Sequence, residues 1–150
     1  MSVKQNNLKT WFKSGTPWIW MNAGAVSIAV IMTLGLLMVA EFFCRAGWEV
    51  SGGPLDTGHD PVKAVARDWF DVVGFSLACE TGIERLSETM SQVRKKSLNP
   101  GVSIIAGGAI FGLHPEFGPQ IPADAIITDG PAAPALAEKL LADRLARIQV

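Results

Sequence analysis

The segment DVVGFS, residues 71–76, is the clearest buried strand in the sequence. Valine and phenylalanine favour extended backbone, and a short apolar run of this kind is typical of a strand covered on both faces of a parallel sheet. Similar short runs, bounded by glycine- and proline-rich turns, lie on either side of it. They predict further strands at Trp48–Ser51, Val102–Ala106 and Ala125–Thr128.

Helical patterns fill the intervals between these strands. Asp60 as cap and Pro61 at the first helical position predict a helix through Asp68. Gly82–Ser97 carries apolar residues at helical spacing, a short helical turn is predicted near Pro115–Phe117, and a last helix runs from Asp129 to about Ile148. Because strands alternate with helices, the sequence predicts an α/β fold, a flavodoxin- or Rossmann-like doubly wound parallel sheet.

Four strands are one short of the flavodoxin-like order 2-1-3-4-5. The sequence AVSIAVI at Ala25–Ile31 is rich in β-branched residues and predicts the missing central strand. A helix over Leu34–Ala46, ended by Gly47, would follow it. Without this strand, the segment at residues 71–76 would present an unpaired buried edge.

The same region also fits a membrane span. Trp18–Ala40 is 23 residues long and is interrupted only by the polar residues Asn22, Ser27 and Thr33. A spanning helix needs about 20 apolar residues, and lysines before such a span favour a cytoplasmic amino end. The domain organisation that follows is a leading segment at residues 1–24, a potential membrane anchor at 18–40, and an α/β domain at 25–150.

Composition excludes several functional classes. The net charge is −1 and 18% of residues are charged, which argues against binding to nucleic acid through bulk positive charge. Two cysteines are too few for a disulfide framework. The sequence contains no phosphate loop, no serine-nucleophile elbow and no clustered zinc ligands, so enzymes of those kinds are excluded.

Ligands of doubly wound sheets bind beyond the carboxyl ends of the strands, at the switch point in strand order. Four residues lie at such ends and are predicted to bind a cofactor: Gly35, Ser76, Gly107 and Gly108. Adjacent glycines let backbone approach a bulky ligand, although taken alone they are more often an ordinary tight turn. A serine there can donate a hydrogen bond to a ligand or cap the following helix.

From about Thr33 onward, the chain resembles the cobalamin-binding domain of bacterial photosynthesis-gene antirepressors, whose relatives also include haem-binding domains. The resemblance rests on TLGLLMVAEFFCRAGWEV followed by GGP, then DWFDVVGFSLACE, AGGAIF and ADAIITDG. The wider cobalamin-binding fold carries Asp-x-His-x-x-Gly, Ser-x-Leu and Gly-Gly motifs. In this chain Gly35, Ser76 and the pair Gly107-Gly108 match those motifs.

The chain also departs from those motifs. Val30 and Met32 occupy the positions of the aspartate and the cobalt-ligating histidine, and Ala78 replaces the leucine of Ser-x-Leu. The resemblance therefore implies impaired metal ligation, with no metal-ligating residue assigned. Met32 in an apolar run is expected to be a core residue, although thioethers can ligate haem iron.

The beginning of the chain has a different resemblance. LKTWFKSGTPWIWMNAGAVSIAVI, residues 8–31, is similar to the cytoplasmic start and first membrane helix of bacterial phosphate-transporter permease subunits. The chain therefore resembles a fusion of two unrelated genes. The permease resemblance covers residues up to about 32.

Together these resemblances imply a non-enzymatic, cytoplasmic sensory domain that binds cobalamin, or alternatively haem, or retains no ligand at all. Its expected partner is a transcriptional repressor, with no direct contact to nucleic acid. The alternative is a fragment of a phosphate permease, anchored in the inner membrane and carrying a passenger domain.

Other candidate residues have simpler interpretations. His59 and His114 are isolated and are expected on the surface. Cys79 follows the third strand and could face the site, but it is interpreted as a buried, inert thiol. Arg94, Lys95 and Lys96 are expected to complement the dipole at a helix end.

The missing imidazole generates the first prediction. Replacing Met32 with histidine should tighten corrinoid binding and shift the absorbance spectrum of the bound corrinoid, because a nitrogen ligand would then reach the cobalt. Spectral titration of both proteins with cobalamin measures this. Equal affinity and an identical spectrum would show that Met32 does not occupy the motif position.

Overall fold

A five-stranded parallel sheet organises the chain in the computed structural model, which describes residues 9–14, 37–51 and 60–148. The spatial order of its strands is 2-1-3-4-5, and every neighbouring pair is parallel. This order confirms the flavodoxin-like fold class. In chain order the strands are β1 (Lys9–Ser14), β2 (Glu49–Ser51), β3 (Val72–Ser76), β4 (Ser103–Gly107) and β5 (Ala125–Ile127).

Helices connect the strands in the alternating pattern that parallel pairing requires. The described part of helix α1 is residues 37–45. Three short 3₁₀ helices occupy Glu80–Gly82, Pro115–Gln120 and Gly130–Ala132. The remaining α-helices are α2 (Pro61–Arg67), α3 (Ile83–Lys96), α4 (Ala109–Leu113) and α5 (Ala133–Ile148).

Most predicted elements are confirmed to within a residue or two. The cap of α2 is as predicted, because the Asp60 carboxylate accepts a hydrogen bond from the Val62 backbone N–H at 3.0 Å and Pro61 is the first helical residue. Helix α4 was not predicted. Its five residues, AIFGL, are too few to show helical periodicity.

The central strand differs from the prediction. Lys9–Ser14 lies between β2 and β3, in the place assigned to Ala25–Ile31, whose residues lie outside those that the structure describes. The sheet thus takes a strand from the leading segment 1–24. Thr10, Trp11 and Phe12 favour extended backbone. The sequence did not predict a strand here because lysines interrupt the segment, whereas the sequences of buried parallel strands are usually uninterrupted apolar runs.

The core has two layers, one on each face of the sheet. Alternate residues of β3 and β4 point to opposite faces, so Val73 and Ile104 join one cluster while Val72 and Ile105 join the other. The first cluster includes residues of α2, α3 and α4. The second includes residues of α1 and α5, together with Trp48.

Helix α1 ends as the sequence predicted, at Gly47. This glycine has a φ of 86°, in the left-handed region, and the Trp48 N–H donates to the Phe43 carbonyl at 3.0 Å. The Phe43 and Trp48 rings meet edge to face, with centroids 5.3 Å apart. This Schellman-type ending directs the chain from α1 into β2 and anchors the second cluster.

A buried asparagine fixes the amino end of β4. Asn99 is fully buried, its Nδ2 donates to the Phe70 carbonyl at 2.9 Å, and its Oδ1 accepts from the Gly101 N–H at 3.0 Å. Arg144 of α5 donates to the same Oδ1 at 2.7 Å and also to the Gly101 carbonyl. One side chain therefore joins the start of β3, the turn before β4 and the last helix.

A second polar contact fixes β5 beside β4. The Asp124 Oδ2 accepts from the Ile104 N–H at 2.7 Å and forms an ion pair with Arg94 at 3.0 Å. Arg94 therefore does more than complement the dipole of α3, because its guanidinium also donates to the Pro122 carbonyl at 3.1 Å.

The proposed anchor, residues 18–40, falls mostly outside the described part of the chain. Within the described ranges, no helix combines the length and the apolar character that crossing a bilayer requires.

Substituting Asn99 with alanine should lower the free energy of unfolding by about 2–3 kcal/mol, because it leaves buried backbone groups without partners. Chemical denaturation measures this loss. The matched control is Gln92→Ala, on the exposed side of α3, which should change stability by less than about 0.5 kcal/mol. Equal stability of the two variants would contradict a structural role for Asn99.

Candidate functional site

A cavity of about 370 Å³ lies at the carboxyl ends of β3, β4 and β5. Helix α1 covers one side of it, and the turn that leads into α5 forms another. This position is where ligands of doubly wound sheets bind. The residues that line the cavity are Met38, Val39, Phe42, Phe43, Gly74, Phe75, Ser76, Ile105, Gly107, Gly108, Ala109, Ile127, Thr128, Gly130, Pro131 and Ala133.

Three of the four predicted cofactor-binding residues meet at this cavity. Ser76 ends β3, Gly107 ends β4, and Gly108 follows directly, so parallel strand register brings them side by side. Ser76 and Gly107 are register partners. Gly35 lies outside the described residues. The structure thus brings the three together, while their role in binding a cofactor stays a prediction.

Ser76 does not serve as a helix cap. Cys79 is the N-cap of the following 3₁₀ helix and Gly82 that of α3, and neither helix has a side-chain capping hydrogen bond. Ser76 is half-buried at the cavity, and its hydroxyl has no hydrogen-bond partner among the described residues. A half-buried donor without a partner suits a ligand acceptor.

The two glycines are needed by the fold itself. A Cβ atom on Gly107 would lie 2.9 Å from the Ile127 carbonyl oxygen, and one on Gly108 would collide with the Leu77 carbonyl oxygen. Gly108 also has a φ of 116°, which L-residues with side chains rarely adopt. The Leu77 N–H donates to the Gly107 carbonyl at 2.9 Å, which draws the ends of β3 and β4 together.

The cavity wall is almost entirely apolar. Among the described lining residues none is charged, and side-chain hydroxyls come only from half-buried Ser76 and exposed Thr128. The described residues also hold no cluster of potential metal ligands. The described part of the wall is therefore suited to contact with an apolar group.

Sequence reasoning missed the apolar half of the site. Met38, Val39 and Phe42 reach the cavity from α1, while Ile127 and Thr128 reach it from the end of β5. The fold class carried a usable signal, because every strand of such a sheet ends at the same edge. The motif positions pointed to the ends of β3 and β4, and none pointed to the end of β5 or to α1.

The remaining polar candidates lie away from the cavity lining. His114 is exposed and faces the Glu116 carboxylate at 3.0 Å, as expected of a surface histidine, whereas His59 is outside the described residues. The pKa of the Glu116 carboxyl is lowered, mainly by a hydrogen bond from the Glu116 backbone and to a smaller extent by its hydrogen bond with His114. Cys79 is exposed, so its interpretation as a buried thiol was wrong, because the strand ends before it at Ser76.

Comparison with known families identifies the family to which the chain belongs. The family model described as the B12 binding domain matches residues 23–137. The chain belongs to the B12-binding domain family. A search of curated proteins found no match. The matched region begins after β1 has ended at Ser14, so the central strand of this sheet lies outside it.

The B12-binding fold implies a corrinoid, and the described residues fit part of one. A cavity of about 370 Å³ holds a flat aromatic group of nucleotide size but not a corrin macrocycle. Such a group is the tail of cobalamin. Within the described ranges the cavity lining contains no histidine, and Met32, which the resemblance places at the motif position, lies outside those ranges.

The close approach at Gly108 generates a prediction about stability. Gly108→Ala should lower the free energy of unfolding by about 2 kcal/mol or more, because it combines an unfavourable φ with a backbone collision. Gly112→Ala in α4 is the control, since its Cβ would meet only the Thr128 methyl group, at 3.9 Å. That substitution should be neutral or stabilise by up to about 1 kcal/mol. Thermal and chemical denaturation compare the two, and equal stability would contradict the geometry.

Proposed function

We propose that this B12-binding domain is a non-enzymatic module that binds a corrinoid by burying its tail in the cavity between α1 and the ends of β3, β4 and β5. The observation that carries the proposal is the cavity itself, which is apolar, lies at the switch edge of the sheet and includes the motif residues Ser76, Gly107 and Gly108. Affinity would come from apolar burial, at about 25 cal/mol per Å².

In this proposal the lining residues have different roles. Phe42 and Ile127 provide apolar surface for a flat ring, and the Ser76 hydroxyl donates to an acceptor atom on the tail. When bound, the corrinoid supplies a cobalt centre. The protein contributes positioning and exclusion of water, and no imidazole at the motif position.

A regulatory role belongs to the same proposal. The resemblance of TLGLLMVAEFFCRAGWEV and the later segments to antirepressor domains supports a cytoplasmic sensor whose partner is a transcriptional repressor. Within the described residues, the lining holds no acid or base that could activate the hydroxyls of Ser76 and Thr128. The proposal is accordingly one of binding without catalysis.

Filling the mouth of the cavity should test this function. Ala109 is exposed at the start of α4 and lines the cavity, so Ala109→Trp should weaken cobalamin binding by about tenfold or more while leaving folding intact. The matched control is Leu113→Trp, on the same short helix, where the side chain is 74% exposed and outside the lining.

Spectral titration and calorimetry with cobalamin, and separately with haemin, measure the affinities of parent and variants. Saturable cobalamin binding that Ala109→Trp alone weakens supports the proposal. Binding of haemin but not of cobalamin would show that the ligand is a porphyrin and not a corrinoid. Binding of neither would overturn the proposed function.

A further inference from the structure

We infer that a surface at the amino ends of β3 and β4 docks an acidic segment of another protein, one that carries apolar side chains between carboxylates. Two apolar residues, Trp69 and Leu98, and two basic residues, Lys95 and Lys96, form this amino-edge surface. It lies at the end of the strands opposite the cavity, so it is independent of the proposed function.

The apolar part of the amino-edge surface is exposed. Trp69 precedes β3 and Leu98 follows α3, and their exposed fractions are 49% and 50%. Single apolar residues on a surface are ordinary, whereas grouped ones mark interaction sites. Tryptophan is also enriched among the residues that contribute most to binding at protein interfaces. The position of the two residues relative to each other therefore decides their meaning.

Two hydrogen bonds bring the chain at Leu98 beside the chain at Trp69. The Leu98 N–H donates to the Val65 carbonyl, in the last turn of α2, at 2.9 Å, and the Asn99 Nδ2 donates to the Phe70 carbonyl at 2.9 Å. Leu98 precedes Asn99 and Trp69 precedes Phe70, so each exposed residue is the neighbour of a residue in the same buried contact. The two exposed residues are therefore grouped and not scattered.

This group is held in place by the chain itself. The Asp71 carboxylate accepts a hydrogen bond from the Trp69 Nε1 at 3.3 Å, which orients the indole ring. Arg144 donates to the Asn99 Oδ1 at 2.7 Å and so fixes the turn that carries Leu98. Residues that are ordered before binding lose less entropy when a partner docks on them.

The charge of the amino-edge surface determines the chemistry of its partner. Lys95 and Lys96 are exposed in the last turn of α3, and neither forms an ion pair with a carboxylate within the described ranges. Their two charges exceed that of the Asp71 carboxylate, and also the partial negative charge of the helix end, about half an elementary charge.

Neighbouring charges are already paired within the chain, Arg67 with Asp68 and Arg94 with Asp124, each at 3.0 Å. The lysines therefore remain for a partner's carboxylates, while a basic partner would meet like charge. A net charge of −1 for the whole chain argues against a nucleic-acid backbone as the occupant.

Selection from a random-peptide library displayed on phage, with the full chain as target, tests the chemistry of the partner. The selected peptides should be enriched in aspartate and glutamate next to leucine or an aromatic residue. Fluorescence anisotropy then measures the affinity of the consensus peptide for the parent and for variants. Its binding should weaken as the salt concentration rises, because exposed charges are screened.

Two variants test the two parts of the surface. Lys95→Ala/Lys96→Ala and Leu98→Ser should each weaken peptide binding about threefold to tenfold. Lys139→Glu, at an exposed position of α5, changes the net charge as much as the double lysine variant does, and it should bind the peptide like the parent. Leu113→Ser, at a residue 74% exposed on α4, is the matched control for Leu98→Ser. Circular dichroism verifies that all four variants are folded.

Selection without enrichment of acidic sequences would overturn the inference, as would parent-like affinity in folded Lys95→Ala/Lys96→Ala or Leu98→Ser. Tighter binding of a single-stranded oligonucleotide or an anionic lipid vesicle than of the peptide would contradict a protein partner. Saturating cobalamin should leave the affinity for the peptide unchanged, and competition between the two would place the peptide in the cavity instead. Failure of cobalamin to bind would overturn the proposed function alone.

Discussion

The close approach of three strand ends is the constraint on which the site depends. Gly107 lies so near to the Ile127 carbonyl group, and Gly108 to the Leu77 carbonyl group, that neither position has room for a Cβ atom. This contact sets the floor of the cavity and the direction in which the chain enters α4. Backbone geometry therefore requires glycine at both positions, whether or not a ligand is bound.

Several polar contacts lie at the amino ends of the strands, opposite the cavity. Asn99 and Arg144 join the turn before β4 to α5, and Asp124 and Arg94 fix the start of β5. These contacts orient the strands from their amino ends. At the carboxyl ends, β3 and β4 are joined by the hydrogen bond from the Leu77 N–H to the Gly107 carbonyl and by the close backbone approach at the two glycines. The described side chains around the cavity there are almost all apolar.

The alternation of strands and helices could be predicted from the sequence, because apolar periodicity, helix caps and turns are local signals. The order of strands in the sheet followed from that alternation. Prediction from the sequence failed at the central strand, where Lys9–Ser14 lies between β2 and β3 although its lysines are unlike a buried parallel strand. Motif positions led to Ser76 and the two glycines. The fold class carried a signal for Ile127, at the end of β5. The contribution of Phe42 could not be predicted, since it depends on how α1 packs across the sheet.

Under the proposed function, the departure from the cobalamin-binding motif changes what the rest of the site must do. The resemblance places Met32 where the family carries a histidine, and a thioether offers no imidazole to the cobalt. Affinity would then depend on how well the buried tail replaces its contacts with water, because each polar atom that loses water without gaining a partner costs free energy.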